Sequence, residues 1–194
     1  MGDTLLSDTL SALSASRLVP VVVLDNAADA GALVAALVAG GLPVAEVTFR
    51  TAAAADAIRV MAGRGDRLVG AGTVLTSQQV DQAVAAGASY VVSPGLSRAV
   101  VERCQEHGVL ALPGAVTATE VQAALELGLT TVKFFPAGTA GGAPAIGARR
   151  TVRRCPLRPH RRRRSEEPPR VPRDPRGGGG GRFLDGAQGP GPSR

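Results

Sequence analysis

Lysine is almost missing from this 194-residue chain: of its 22 basic residues one is lysine, Lys133, and the rest are arginine. Tryptophan is absent, and aromatic residues make up only 3% of the chain, with Ala, Gly, Val and Leu dominating in their place. Only two cysteines occur, Cys104 and Cys155, far apart and without metal-ligand spacing, which argues against a disulfide framework and against a metal site. No apolar run approaches the roughly 18 residues a membrane-spanning helix needs, so no membrane partner is expected. The N-terminus lacks a basic region followed by a long apolar core, so no secretory leader is expected. These absences together predict a soluble cytoplasmic protein.

Acidic residues are scarce in only one part of the chain. Residues 1–148 hold 8 Lys+Arg and 12 Asp+Glu, a net of −4, while residues 149–194 hold 14 Arg and 4 Asp+Glu, a net of +10. The overall +6 therefore sits entirely in the tail. That tail has no strand or helix period and is rich in Arg, Pro and Gly, a composition that predicts disorder. The division expected is a folded unit over 1–148 and a tail over 149–194. Fourteen arginines could bind nucleic-acid phosphates in a nonspecific, salt-sensitive way. The interleaved prolines argue against a built site, and no nucleic-acid partner is expected.

The first part contains six apolar, β-branched runs: "VPVVVL" (19–24), "VAEVTF" (44–49), "LVGAG" (68–72), "YVVS" (90–93), "VLALPG" (109–114) and "TVKFFP" (131–136). They recur about every 22 residues, the size of one strand-loop-helix unit. Helical patterns lie between them. Residues 27–39 place Ala30, Leu33, Val34, Leu37 and Val38 on one face, and 52–62, 77–86, 97–107 and 117–127 read likewise. "TATE", Thr117 to Glu120, is a capping-box pattern at the start of the last of these. Strand-helix alternation predicts an α/β fold with a parallel sheet covered by helices, and so short and regular a period favours a (β/α)8 barrel, represented here by six units, over a doubly wound sheet. Each candidate strand ends in a polar or Gly/Pro element, and in a barrel those ends converge on the face where active sites sit.

Four polar residues share that level. Lys133 lies within an apolar strand, where a charged head is costly unless paired. Burial favours the neutral amine, which can attack a ketone; the alternative is a structural lysine paired with a carboxylate or reaching solvent. Glu46 shares a strand face with Val44 and Thr48. Lys133 or Arg50 could partner it, either as a structural ion pair or as the general acid/base of carbonyl chemistry. Arg50 follows at the strand end, where its planar fork suits a carboxylate substrate, or where it is simply a surface arginine. Thr73 in "GAGTV" offers a hydroxyl donor or a helix N-cap. Another phosphate-handling barrel, a synthase or an isomerase, is the competing enzyme class.

Carried by "VPVVV", "ALVAGGLPVAEVTFRT", "VGAGTVLTSQQ", "AGASYVVSPG", "ALPGAVTATE" and "TVKFFPA", residues 10–147 resemble the 2-keto-3-deoxy-6-phosphogluconate (KDPG) aldolases, a family overlapping the 4-hydroxy-2-oxoglutarate (KHG) aldolases. The resemblance implies a class I aldolase acting on a small keto acid and releasing pyruvate, with glyceraldehyde 3-phosphate or glyoxylate as the second product. It implies Lys133 as the Schiff-base lysine, Glu46 as the proton-shuttling carboxylate and Arg50 as the carboxylate binder. Thr73 and the backbone around Pro94 would position the keto acid, and Phe135 would pack beside the imine. No metal is implied, and a homotrimer is. The single lysine would then be the one position arginine cannot fill, because a guanidinium stays charged and supplies no free amine.

After "GGAPAIGA" (141–148) the resemblance ends. The family pattern would continue with a strand ending in a Thr-Gly-Gly phosphate loop and another ending in Gly-Gly-Ser. Both can be recovered from a shifted reading frame. Residues 157–163, "LRPHRRR", can be encoded CTT CGT CCC CAC CGG CGG CGT, which one base on reads Phe-Val-Pro-Thr-Gly-Gly-Val. "GGGGGRFLDG" shifts in the same way to a reading that contains Val-Gly-Gly-Ser-Trp-Met. Two such matches in the expected order predict that the tail is a frame-shifted product and that the chain as written has lost its phosphate site.

Overall fold

Each of the six apolar runs supplies one parallel strand. The computed structural model describes residues 2–63, 65 and 67–137. In chain order these form α1 (Gly2–Ser16), β1 (Val21–Val22), a 3-10 turn (Ala27–Asp29) leading into α2 (Ala30–Ala39), β2 (Val44–Thr48), α3 (Ala54–Ala62), β3 (Leu68–Gly72), α4 (Ser77–Ala85), β4 (Tyr90–Ser93), α5 (Arg98–His107), β5 (Leu110–Ala115), α6 (Ala118–Glu126) and β6 (Lys133–Phe134). The sheet order is β1-β2-β3-β4-β5-β6, all parallel, as in a barrel built from successive β/α units. The residues expected to form the tail, 149–194, lie outside the described residues, as does the end of the expected folded unit at 148.

Strand alternation sorts the core into two layers. Ala45, Val47, Val69, Ala71, Val91 and Ala111 face outward and pack against the helices, meeting Val34, Ile58, Met61, Val80, Val101 and Cys104. Small side chains on the outward face let the helices lie close. Cys104 sits in this layer, where burial pushes its thiol up to about 12, so it is no nucleophile at neutral pH. The inward face carries Val44, Tyr90, Val92 and Leu112, joined by Leu68 and Leu110.

Sequence periodicity alone did not single out α1. Its Leu6, Thr9, Leu10 and Leu13 are buried or half-buried and fall at helical spacing on one face. Leu10 and Leu13 pack onto the inward cluster of Val44, Tyr90, Val92 and Leu112, so α1 closes the floor of the sheet.

β1 is shorter than its apolar run. Pro20 has no N–H to donate, although its carbonyl accepts from Glu46 N at 2.8 Å, and the ladder is confined to Val21 opposite Glu46 and Val22 opposite Val47. β6 is shortened likewise, pairing only Lys133 with Gly114 and Phe134 with Ala115. The capping box formed as expected: Thr117 Oγ1 accepts from Glu120 N, and the Glu120 carboxylate accepts from Thr117 N at 2.8 Å and from Val116 N at 2.9 Å. No helix among the described residues is long and apolar enough to cross a membrane.

Candidate active site

Lys133 and Glu46 meet on the inward face. Val132 packs with Ala115 and Ala124 in the helix layer, which by alternation turns Lys133 inward. Its Nζ lies 3.7 Å from Glu46 Oε1, within ion-pair distance. Both residues are buried, Lys133 at 5% exposure and Glu46 at 1%. The Phe135 ring lies below the amine, with its centroid 5.3 Å from Nζ, and Phe135 is half-buried. A compact positive charge over a ring face is favourable, so the ring favours a cationic nitrogen at this position.

Gly72 makes room for the carboxylate. A Cβ at that position would stand 2.6 Å from Glu46 Cγ and overlap the carboxylate oxygen, so only glycine lets Glu46 lie across β3 toward Lys133. Gly114 does the same for the loop after β4: a Cβ there would overlap the Pro94 carbonyl. Gly114 pairs in register with Lys133 and has the Pro94 carbonyl against it, while the Pro94 ring itself is exposed. Ser93 Oγ donates to Gly95 O at 2.8 Å and holds this turn.

Tyr90 lies deeper in the same interior. Its ring packs over Gly70, and its hydroxyl donates to the Ala45 carbonyl at 2.9 Å, one residue before Glu46. Burial raises its phenol well above the ordinary value, and the negative charge of Glu46 raises it further. Tyr90 is therefore a neutral hydrogen-bond donor that braces the strand carrying Glu46.

Thr73 follows Gly72 directly, is half-buried and holds a left-handed backbone with φ 58°. It is not the cap of α4; Thr76 is, accepting from Gln79 N at 3.2 Å. A non-glycine residue in this conformation is uncommon and marks a tightly determined turn. Arg50 stands two residues beyond β2, exposed and without an ion pair among the described residues. The structure thus brings Lys133, Glu46 and Phe135 into contact, sets Thr73 and Pro94 on neighbouring strand ends, and leaves Arg50 projecting at the end of β2.

A family model described as KDPG and KHG aldolase matches residues 10–156. The chain belongs to the KDPG and KHG aldolase family. A 2-dehydro-3-deoxy-phosphogluconate aldolase of Treponema pallidum is 50% identical over 138 residues, 71% of this chain and 66% of that protein. The corresponding protein of Haemophilus influenzae is 48% identical over 133 residues, 68% of this chain and 63% of that protein. The chain thus spans about two-thirds of the length of these relatives. Among solved structures, the KDPG aldolase of Zymomonas mobilis ZM4 with 3-phosphoglycerate superposes with a TM-score of 0.67 at 42% identity, covering 73% of this chain and 68% of that one. The KDPG aldolase of Legionella pneumophila, with pyruvate captured at low pH as a covalent carbinolamine intermediate, superposes with a TM-score of 0.66 at 39% identity, covering 74% and 72%.

Within this aldolase fold, Gly72, Gly114 and Tyr90 are contributors that sequence reasoning did not assign. The glycines read only as strand ends. The available signal was their position: Gly72 closes its strand at a residue whose side chain would face inward, where Glu46 also points.

Proposed function

We propose that this chain is a class I aldolase that forms a Schiff base at Lys133 and releases pyruvate from a small 2-keto acid. KDPG, with glyceraldehyde 3-phosphate as the second product, and 4-hydroxy-2-oxoglutarate, with glyoxylate as the second product, are the substrates of the complete barrel. The observation that carries this reading is the buried Lys133 amine 3.7 Å from the buried Glu46 carboxylate. The carbinolamine of pyruvate in the Legionella pneumophila KDPG aldolase supports the amine chemistry.

The steps follow from those two groups. Lys133 Nζ adds to the C2 ketone, giving a carbinolamine that loses water to an iminium. Glu46 accepts the proton of the C4 hydroxyl. The C3–C4 bond breaks, its electron pair flows into the iminium to give an enamine, and the aldehyde product leaves. Protonation at C3 and addition of water then release pyruvate and restore the amine. Arg50 binds the substrate carboxylate, Thr73 and the Pro94 backbone orient the keto acid, and Phe135 packs against the imine. In this reading the protein works in the cytoplasm and, when its barrel is complete, as a homotrimer.

Borohydride in the presence of pyruvate should fix a stable carboxyethyl group on the amine of Lys133, located by peptide mass mapping. Lys133→Ala should abolish it. Labelling confined to the N-terminal amine would remove Lys133 from the chemistry and overturn the proposal.

A further inference from the structure

β1 forms only two ladder pairs with β2, and the chain continues beyond them at the strand end. Two hydroxyls of the β2 side add to these pairs. Thr48 Oγ1 donates to the Val22 carbonyl at 3.2 Å, and Thr51 Oγ1 donates to the Leu24 carbonyl at 2.5 Å. Leu24 lies beyond the last ladder pair, Val22 with Val47, so Thr51 ties a carbonyl that the β1–β2 ladder does not reach. On the other side of Arg50, Phe49 N donates to the Gly72 carbonyl of β3 at 2.8 Å. Arg50 is therefore flanked by two anchors, one to β3 through the preceding residue and one to β1 through the following residue. Its own side chain is exposed.

We propose that Thr51 is a positioning residue for Arg50: its bond to Leu24 fixes the backbone from which the guanidinium reaches the carboxylate of the keto acid. This rests on the aldolase reading above. A long arginine on a free loop loses both loop and side-chain freedom when it binds; on a backbone already held at both ends it loses only the latter. The bond is long-range, joining residues 27 apart in sequence, so it sets where the loop stands rather than its local turn. Thr51 is half-buried, with its hydroxyl turned to the β1 end and not toward Lys133, so it acts through Arg50 and not on the reacting atoms.

The test uses the full chain and pyruvate alone, followed by borohydride labelling of Lys133 as a function of pyruvate concentration. Thr51→Val keeps the shape and removes the donor. It should raise the half-saturating pyruvate concentration about fivefold, as expected for one lost hydrogen bond, and leave the maximal labelling rate within about twofold. Thr51→Ser should restore the original half-saturation. Arg50→Ala should raise half-saturation about tenfold or more, as expected for a charge-assisted contact. If Arg50→Ala raises half-saturation and Thr51→Val does not, Thr51 does not position Arg50. A lower maximal labelling rate in Thr51→Val, with a depressed melting temperature and no rescue by serine, would show a structural role only and equally overturn the proposal. No effect of Arg50→Ala would refute the carboxylate-binding role of Arg50, and no labelling of the unsubstituted chain would refute the aldolase reading. In both cases the role of Thr51 falls with them.

Discussion

Gly72 is where one methyl group decides whether Glu46 can reach Lys133. A Cβ there would stand 2.6 Å from Glu46 Cγ, so Gly72→Ala must push the carboxylate off β3. The fold should survive, because Gly72 is an ordinary strand residue at the end of β3 and not one of the positive-φ glycines. Exchange of the pyruvate methyl protons with heavy water isolates the step that needs a base, since it requires the imine to lose and regain a C3 proton. Gly72→Ala should slow that exchange about 100-fold, the usual worth of a positioned general base. Borohydride labelling of Lys133 should fall far less, because the amine itself is untouched. Unchanged exchange, followed by NMR, would show that Glu46 is not the base. Lys133 was legible in the sequence because lysine occurs nowhere else; Gly72 was not. Which side chain crosses which glycine depends on strand register and sheet curvature, and neither can be read from one strand at a time.

Among the elements, those with a strong local signal were legible. All six apolar runs became strands because each stops at a Gly, Pro or polar residue, and five inter-strand helices formed because each carries an apolar stripe. α1 was not legible, since Leu10 and Leu13 gain their meaning only in relation to the floor they cover. β1 was overestimated, because its apolar run continues past the last backbone pair. The capping box of α6 offers a prediction at this scale. Thr117→Ala removes the cap hydroxyl and should cost about 1 kcal/mol in urea unfolding. Glu120 accepts from the N–H groups of Val116 and Thr117 and from the Thr117 hydroxyl, and these bonds hold its carboxyl below the ordinary value of 4.5. A depressed folded value means that the folded state favours the ionised form. Its contribution is thus present above 4.5 and is lost as pH falls through the folded value. Glu120→Ala should therefore lower the melting temperature at pH 7, with the difference from the unsubstituted protein shrinking as pH is lowered below 4.5. A difference independent of pH would show that the box acts through packing rather than through the carboxylate charge.

At the scale of the whole molecule, the sheet and the tail raise one question. Among the described residues β1 pairs only with β2 and β6 only with β5, so each presents an outer edge. In a barrel of this family, two further β/α units would lie between them. Open strand edges in a barrel invite pairing with other chains. In the sequence, the stretch that would supply those units reads as 14 arginines, with prolines and a run of five glycines, over residues 149–194. Ordering each such residue would cost about 1–2 kcal/mol of backbone entropy, and the stretch holds few large apolar side chains whose burial could offset it. Codons can be chosen for it that, read one base on, give both expected phosphate loops, Thr-Gly-Gly and Gly-Gly-Ser. We therefore predict that the chain as written is poorly soluble and weak or inactive on KDPG. Its Lys133 should still be labelled by borohydride with pyruvate, because Lys133, Glu46 and Phe135 all lie before residue 138. The frame-restored chain should be soluble and should cleave KDPG, with pyruvate release followed by coupled reduction. The two sites explain the split: the imine chemistry needs the six strands described, whereas a substrate phosphate needs the two loops the tail does not encode. Equal rates of KDPG cleavage by both versions would show that residues 149–194 are a working part of the enzyme and that the shifted frame is wrong.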